Sequence, residues 1–286
     1  MQAGWIGLGG MGVWMARNLA QAGFLSAVYN RTPAKATALA KELHVLAYDS
    51  PEALAAKVDI VFICVSADHD VIEVVNAVAK TIRPDSIVVD MSTVSSSTAI
   101  LAAARLLEKQ VAFLDAPVSG GVEGAKKGTL SIMVGGDAKT LRKVHPLLEV
   151  LATRIIHMGQ TGTGQGTKAV NQIMVAGINQ AVTEALAFAA AQQLPLAKVI
   201  DVIAGGAAGN WFLEHRGLTM TKGLFKPGFK LALHHKDLKI CQAMAKKSGA
   251  SLPLVDVTIK AYAQLMADGF GDEDISALYR LKAGHK

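Results

Sequence analysis

Ala3-Gly4-Trp5-Ile6-Gly7-Leu8-Gly9-Gly10-Met11-Gly12 runs from a short apolar segment into glycines at positions 7, 9 and 12. The apolar run Trp5–Leu8 reads as a strand, and Met15–Ala22 reads as an amphipathic helix. A G-x-G-x-x-G turn between a strand and a helix is the dinucleotide-binding arrangement. Gly7 permits the tight turn, Gly9 lets backbone approach a pyrophosphate, and Gly12 lets helix and strand pack closely. Leu8, Gly10 and Met11 complete the turn, whose backbone N–H groups and helix dipole favour an anion.

Outward from this turn the same alternation continues. Ser26–Tyr29, Ile60–Val65, Ile87–Asp90 and Val111–Asp115 read as strands, with helical stretches such as Pro33–Leu43 and Ser96–Lys109 between them. Such alternation predicts a parallel sheet covered by helices on both faces. Leu130–Val134 and Thr153–Met158 could extend that sheet. A glycine-rich linker, Gly159–Gly166, follows, and then the pattern changes. Thr167–Gln193 is almost wholly apolar or small, a helix of roughly 40 Å that should be buried, between domains or between subunits. Leu196 onward reads as further helices, with loops at Gly205–Gly209, Lys222–Gly228 and Ser248–Pro253. The expected fold class is α/β: a Rossmann-type dinucleotide-binding domain over residues 1–162 and an all-α domain over 163–286, joined by a long interdomain helix.

Composition narrows the function. The chain has 286 residues, 51% hydrophobic and 18% charged, ample for a sizeable core. Neither a signal-peptide pattern nor an apolar run of membrane-spanning length is read, so no membrane role is expected. Two cysteines, Cys64 and Cys241, make neither a disulfide framework nor a zinc set, and a reducing cytoplasm is the default. The net charge of +6 suits anionic small molecules. Basic residues are scattered rather than clustered, which argues against nucleic acid. Adjacent His234 and His235 would point about 100° apart on a helix, a poor chelate, so no metal is expected.

The second strand ends in Tyr29-Asn30-Arg31-Thr32. A carboxylate here would hold the ribose hydroxyls of NAD and repel a 2′-phosphate; an amide, a guanidinium and a hydroxyl point instead to NADP(H) over NAD(H). Val65-Ser66 and Met91-Ser92-Thr93 end two further strands and should also reach the cofactor, although Ser92 or Thr93 could simply cap the next helix. Asp115-Ala116-Pro117-Val118-Ser119-Gly120-Gly121 offers a hydroxyl and glycine N–H groups that could hold a carboxylate. Lys168 is expected in the first turn of the long helix, where dipole and burial would lower its pKa and make it a usable proton donor. Asn171 shares its face. Trp211 or Phe212 could wall the substrate pocket, and His215 or Arg216 could read a second acidic group; the same segment also reads as an ordinary helix.

Together GLGGMG (Gly7–Gly12), DAPVSGG (Asp115–Gly121), GTGQGTKAVNQ (Gly162–Gln172) and KDL (Lys236–Leu238) resemble the β-hydroxyacid dehydrogenase family, over essentially the full length. That family includes 3-hydroxyisobutyrate dehydrogenases, tartronate semialdehyde reductases and glyoxylate/succinic semialdehyde reductases. The resemblance implies a homodimer or homotetramer acting on a small carboxylated aldehyde or hydroxy acid. It also implies that Lys168 is the catalytic lysine, that Ser119, Gly120 and Gly121 bind the substrate carboxylate, and that Asn171 holds substrate. Lys236 would lie near the nicotinamide, and Thr93 would touch the cofactor. Many members carry a second asparagine where this chain has Gln172. Two other readings are an imine reductase, which shares the two-domain plan, and a non-catalytic dinucleotide-binding module. Intact Lys168 argues against both.

Overall fold

The computed structural model describes residues 1–283. They divide into one unit, Met1–Lys168, and a second that begins at Ala169. The first unit runs β1 (Ala3–Ile6), α1 (Gly12–Gln21), β2 (Leu25–Tyr29), α2 (Pro33–Leu43), β3 (Leu46–Ala47), α3 (Pro51–Ala55), β4 (Ile60–Ile63), α4 (Asp68–Val78), β5 (Ile87–Asp90), α5 (Ser96–Leu107), β6 (Ala112–Asp115), β7 (Val118–Ser119), α6 (Gly121–Lys127), β8 (Leu130–Gly136), α7 (Ala138–Glu149) and β9 (Ala152–Gly159). The long helix α8 (Thr163–Ala191) begins there and carries the chain into the second unit. The second unit continues with α9 (Leu196–Ala204), α10 (Trp211–Thr221), α11 (Leu231–Ser248), α12 (Pro253–Ala267), a 3-10 turn (Ile275–Leu278) and α13 (Tyr279–Lys282). Its described elements are helical, apart from one isolated bridge between Lys230 and Asp274.

The nine strands among the described residues share one sheet, ordered β3-β2-β1-β4-β5-β6-β8-β7, with β9 on β8. From β3 to β6 the pairing is parallel. Both later apolar runs do extend the sheet, but β8 enters antiparallel to β6 and β7, and only β9 runs parallel to it. Strand residues alternate between two buried faces. Along β4, Ile60 and Phe62 join Trp5, Met15, Leu19 and Leu148 on one side, while Val61 and Ile63 join Leu54, Val71, Val75 and Leu106 on the other. Burial on both faces is why these strands read as unbroken apolar runs. Prolines open α2 and α3, and the side chains of Ser50, Ser95 and Asp137 cap α3, α5 and α7. Because β2 lies on one side of β1 and β4 on the other, the strand order reverses at β1; in open α/β sheets ligands bind at that point, beyond the strands' carboxyl ends.

Two expectations about the long helix need correction. The glycine-rich segment is not wholly linker, because α8 starts at Thr163 and includes Gly164, Gln165 and Gly166. Nor does this single chain by itself bury α8 on most faces, which leaves only the subunit contact of that expectation. Val170, Met174 and Phe188 are 57%, 62% and 65% exposed and form one stripe, since multiples of 3.6 residues return to the same side. By length and composition α8 alone among the described helices could cross a membrane. Its buried side, however, carries Gln172, Asn179, Gln180 and Thr183, each making at least one hydrogen bond, with only Asn179 Oδ1 among their buried side-chain atoms left without a partner among the described residues. Polar groups turned inward with apolar ones outside occur because a large part of any folded surface is apolar, whereas buried polar atoms must find partners.

Candidate active site

The glycine turn is closed towards the protein and open on its other side. A Cβ at Gly12 would land on the carbonyl oxygen of Gly7, which also accepts the Trp5 indole N–H at 2.9 Å. A Cβ at Gly9 would meet nothing within 4 Å, and at Gly10 only Val122 at 3.9 Å. Met11, at the N-cap of α1, makes no side-chain cap bond. Exposed backbone at this helix start fits the pyrophosphate of a nicotinamide dinucleotide. The Leu8 N–H donates to Asn30 Oδ1 at 2.9 Å, and the Asn30 amide donates to the Thr32 carbonyl at 3.1 Å. Asn30 therefore ties the turn to the segment following β2. Arg31 is exposed, and its guanidinium lies 3.0 Å from the Asp70 carboxylate, which is nearly buried at the start of α4. Thr32 precedes α2 without capping it through its side chain. Ser66 is exposed, Thr93 is half-buried, and the Val65 N–H donates to Ser92 Oγ at 2.9 Å. Val65, Ser66 and Thr93 thus follow β4 and β5, the parallel strands that come after β1 across the sheet.

Two buried carboxylates end β5 and β6 side by side, Asp90 in register with Asp115. Asp115 accepts the backbone N–H groups of Gly162 at 2.8 Å and Gln165 at 2.9 Å. It therefore caps α8 from a neighbouring strand, where the helix dipole favours negative charge. Burial nevertheless pushes its pKa up, against those hydrogen bonds. Gln165 accepts from the Val94 N–H and donates to the Ser92 carbonyl, and Ser96 donates to the Gly162 carbonyl. Gly164 is required at this junction, because a Cβ there would strike the Met133 carbonyl and the Asp115 carbonyl at 2.6 Å. Lys168 is 7% exposed. It is the sixth residue of α8, not a first-turn residue, so the dipole, which falls off within one turn, acts on it less than expected. Ser119 ends β7, and Gly120 and Gly121, with φ of +132° and +63°, open α6.

In the second unit, Asn171 Nδ2 donates to Gln172 Oε1 at 2.8 Å, and Gln172 Nε2 donates to Asp237 Oδ2 at 2.6 Å. Lys236 pairs with the other Asp237 oxygen at 2.9 Å. Trp211 is 59% exposed and stacks on His215, with the Arg216 guanidinium 5.3 Å from its ring. Arg216 also pairs with buried Asp274 at 3.4 Å, while Phe212 is core. His234 is fully buried, its ring nitrogens within reach of the Tyr262 hydroxyl and the Gln172 carbonyl.

Sequence reading gave no role to Asp70, Asp90, Asp115, Gln165 or Asp237. A signal was available for two of them. Asp90 and Asp115 end apolar runs, and a charge closing a buried strand must find partners.

Residues 2–162 match the NAD binding domain of 6-phosphogluconate dehydrogenase, and residues 162–282 match the NAD-binding region of NADP-dependent 3-hydroxyisobutyrate dehydrogenase. The chain belongs to the β-hydroxyacid dehydrogenase family. Among relatives in this family is the 2-hydroxy-3-oxopropionate reductase of Escherichia coli, 39% identical over 100% of this chain and 99% of its own length. An uncharacterized oxidoreductase of Shewanella frigidimarina is likewise 39% identical, over 96% of this chain and 95% of that protein. The solved 3-hydroxyisobutyrate dehydrogenase of Mycobacterium tuberculosis, studied with L-serine, superposes with a TM-score of 0.90 at 33% identity, covering 99% of this chain and 100% of that one. The dehydrogenase is thus an oxidoreductase acting on CH–OH groups with a nicotinamide dinucleotide.

Proposed function

We propose that this dehydrogenase uses NADP(H) and acts on a small carboxylated semialdehyde or β-hydroxy acid, with Lys168 as general acid and base. When bound, the nicotinamide supplies or accepts the hydride at the carbonyl carbon. In reduction, the Lys168 ammonium donates a hydrogen bond and then a proton to the developing alkoxide oxygen; in oxidation, the neutral amine takes it back. Ser119 and the Gly120–Gly121 backbone hold the substrate carboxylate, and Asn171 orients the substrate. The single observation carrying this reading is a buried lysine on a helix whose first turn is tied to the ends of β5 and β6. The decisive experiment is an NADPH-oxidation screen against small ω- and α-oxo acids, with cyclic imines as a comparison arm. Turnover of imines in preference to oxo acids would overturn the assignment.

The NADP preference rests on Asn30-Arg31-Thr32, where no carboxylate follows β2, with Asp70 steadying the guanidinium. Arg31→Asp is expected to lower kcat/KM for NADPH by about tenfold or more and to leave NADH little changed, because a charge-assisted contact at an exposed site is weakened by water. Equal use of both cofactors by the wild type would refute the preference.

We also assign a cytoplasmic homo-oligomer, with the apolar stripe of α8 at the subunit contact. Sedimentation is expected to give two or four times the 30.0 kDa chain mass; a monomer at micromolar concentration would refute it.

A further inference from the structure

A carboxylate accepts hydrogen bonds and cannot donate them. Asp237 is 4% exposed, and one of its oxygens is occupied by Lys236 at 2.9 Å. Its other oxygen, 2.6 Å from the Gln172 side chain, can be satisfied only by the amide NH2. With that NH2 committed, Gln172 turns its carbonyl oxygen to Asn171, 2.8 Å away. A carbonyl in turn requires a donor, so Asn171 contributes its NH2 to Gln172 and keeps its own carbonyl oxygen for other partners. Gln172 cannot swing away from this string. It is 1% exposed, and its backbone carbonyl takes the His234 Nε2–H at 3.2 Å. The opposite His234 nitrogen is hydrogen-bonded to the Tyr262 hydroxyl at 3.0 Å, and that hydroxyl accepts from Asn179 at 2.8 Å.

We propose that Asp237 is a positioning residue: through Gln172 it fixes the polarity of the Asn171 amide, so that Asn171 offers an acceptor rather than a donor to the reaction. The string rests on the function proposed above only for what it serves, namely an N–H or O–H donor. That donor is either the Lys168 ammonium, three residues earlier on the same helix, or a substrate hydroxyl. Gln172 matters here because its one amide spans from Asn171 to Asp237.

Asp237→Asn tests the polarity at nearly constant shape. Lys236 still demands an acceptor, so the new amide turns its oxygen to Lys236 and its NH2 to Gln172. Gln172 then reverses, Asn171 reverses, and a donor replaces the acceptor at the end of the string. The expected result is a fall in kcat of about tenfold or more, with NADPH affinity unchanged. Asn171→Asp alone, which sets two acceptors against Gln172, is expected to lower both kcat and Tm. The double variant restores a consistent string, with a carboxylate oxygen as the offered acceptor, and is expected to recover at least fivefold of the kcat lost by Asn171→Asp and most of its Tm loss. With that fall in kcat, a shift in its pH profile would assign the donor to Lys168, and a rise in KM with an unshifted profile would assign it to the substrate hydroxyl. Independent, additive effects of the two substitutions on both kcat and Tm would overturn the proposal. Because Tm is measured without substrate, coupling there with no turnover of any oxo acid would sustain the string while removing the activity proposed for the enzyme.

Discussion

Lys168→Ala is expected to lower kcat for an oxo acid by about 10²–10⁴-fold while leaving the NADPH dissociation constant within about twofold, the range that general acid–base catalysis contributes. The substitution removes the proton donor and the cation beside the developing alkoxide in one step. Cofactor affinity should survive because the residues proposed to bind it, Gly7–Gly12 and Asn30–Thr32, lie in the turn from β1 into α1 and just after β2, not on α8. The helix itself should also survive, since alanine favours helix and Asp115, Gln165 and Ser96 make bonds that hold its start. Single-turnover absorbance at 340 nm and fluorescence titration with NADPH separate the two quantities. Near-normal kcat would remove Lys168 from the chemistry.

Asp90→Asn is expected to change how stability depends on pH. Burial raises the Asp90 pKa to about 7, hydrogen bonds from Ser92 oppose the rise, and the charge of Asp115 adds to it. The unfolded carboxyl titrates near 4, so the folded state holds a proton that the unfolded state has already released. Stability from this group is therefore complete below about pH 4 and declines as pH rises to about 7, beyond which the full penalty of a buried charge remains. Asparagine has no such titration. Its NH2 would meet the same lack of partners that Asp90 Oδ2 has among the described residues, which offsets part of the gain. The net expectation at pH 8 is a stabilisation on the order of 1–3 kcal/mol, with little difference at pH 4. Urea unfolding at both pH values measures it; an unchanged slope of stability against pH between 4 and 7 would count against a protonated Asp90.

The elements nearest the N-terminus were legible because their burial is two-sided and local. Pro33–Leu43 and Ile87–Asp90 were read to the residue, and the glycine turn was found where it stands. Reading failed where a residue's surroundings come from distant chain. The Gly159–Gly166 segment looked like linker because glycine disfavours helix, yet Asp115, 47 residues before Gly162, accepts the amides that start α8. Which side of α8 its own chain covers was not legible either, because composition records how much of a helix is apolar and not where the neighbours lie.

From its residues alone this protein declared a dinucleotide turn, an α/β first half, a helical second half, and a lysine and asparagine one helical turn apart. Those follow from local periodicity and from glycine's missing side chain, which act over a few residues. Tertiary structure alone decided which carboxylates lose water, which amides they orient, and how deeply Lys168 is buried. Desolvation and hydrogen-bond polarity depend on neighbours brought close by folding, such as Asp237 against Gln172 65 positions earlier, and spacing in sequence does not encode that distance.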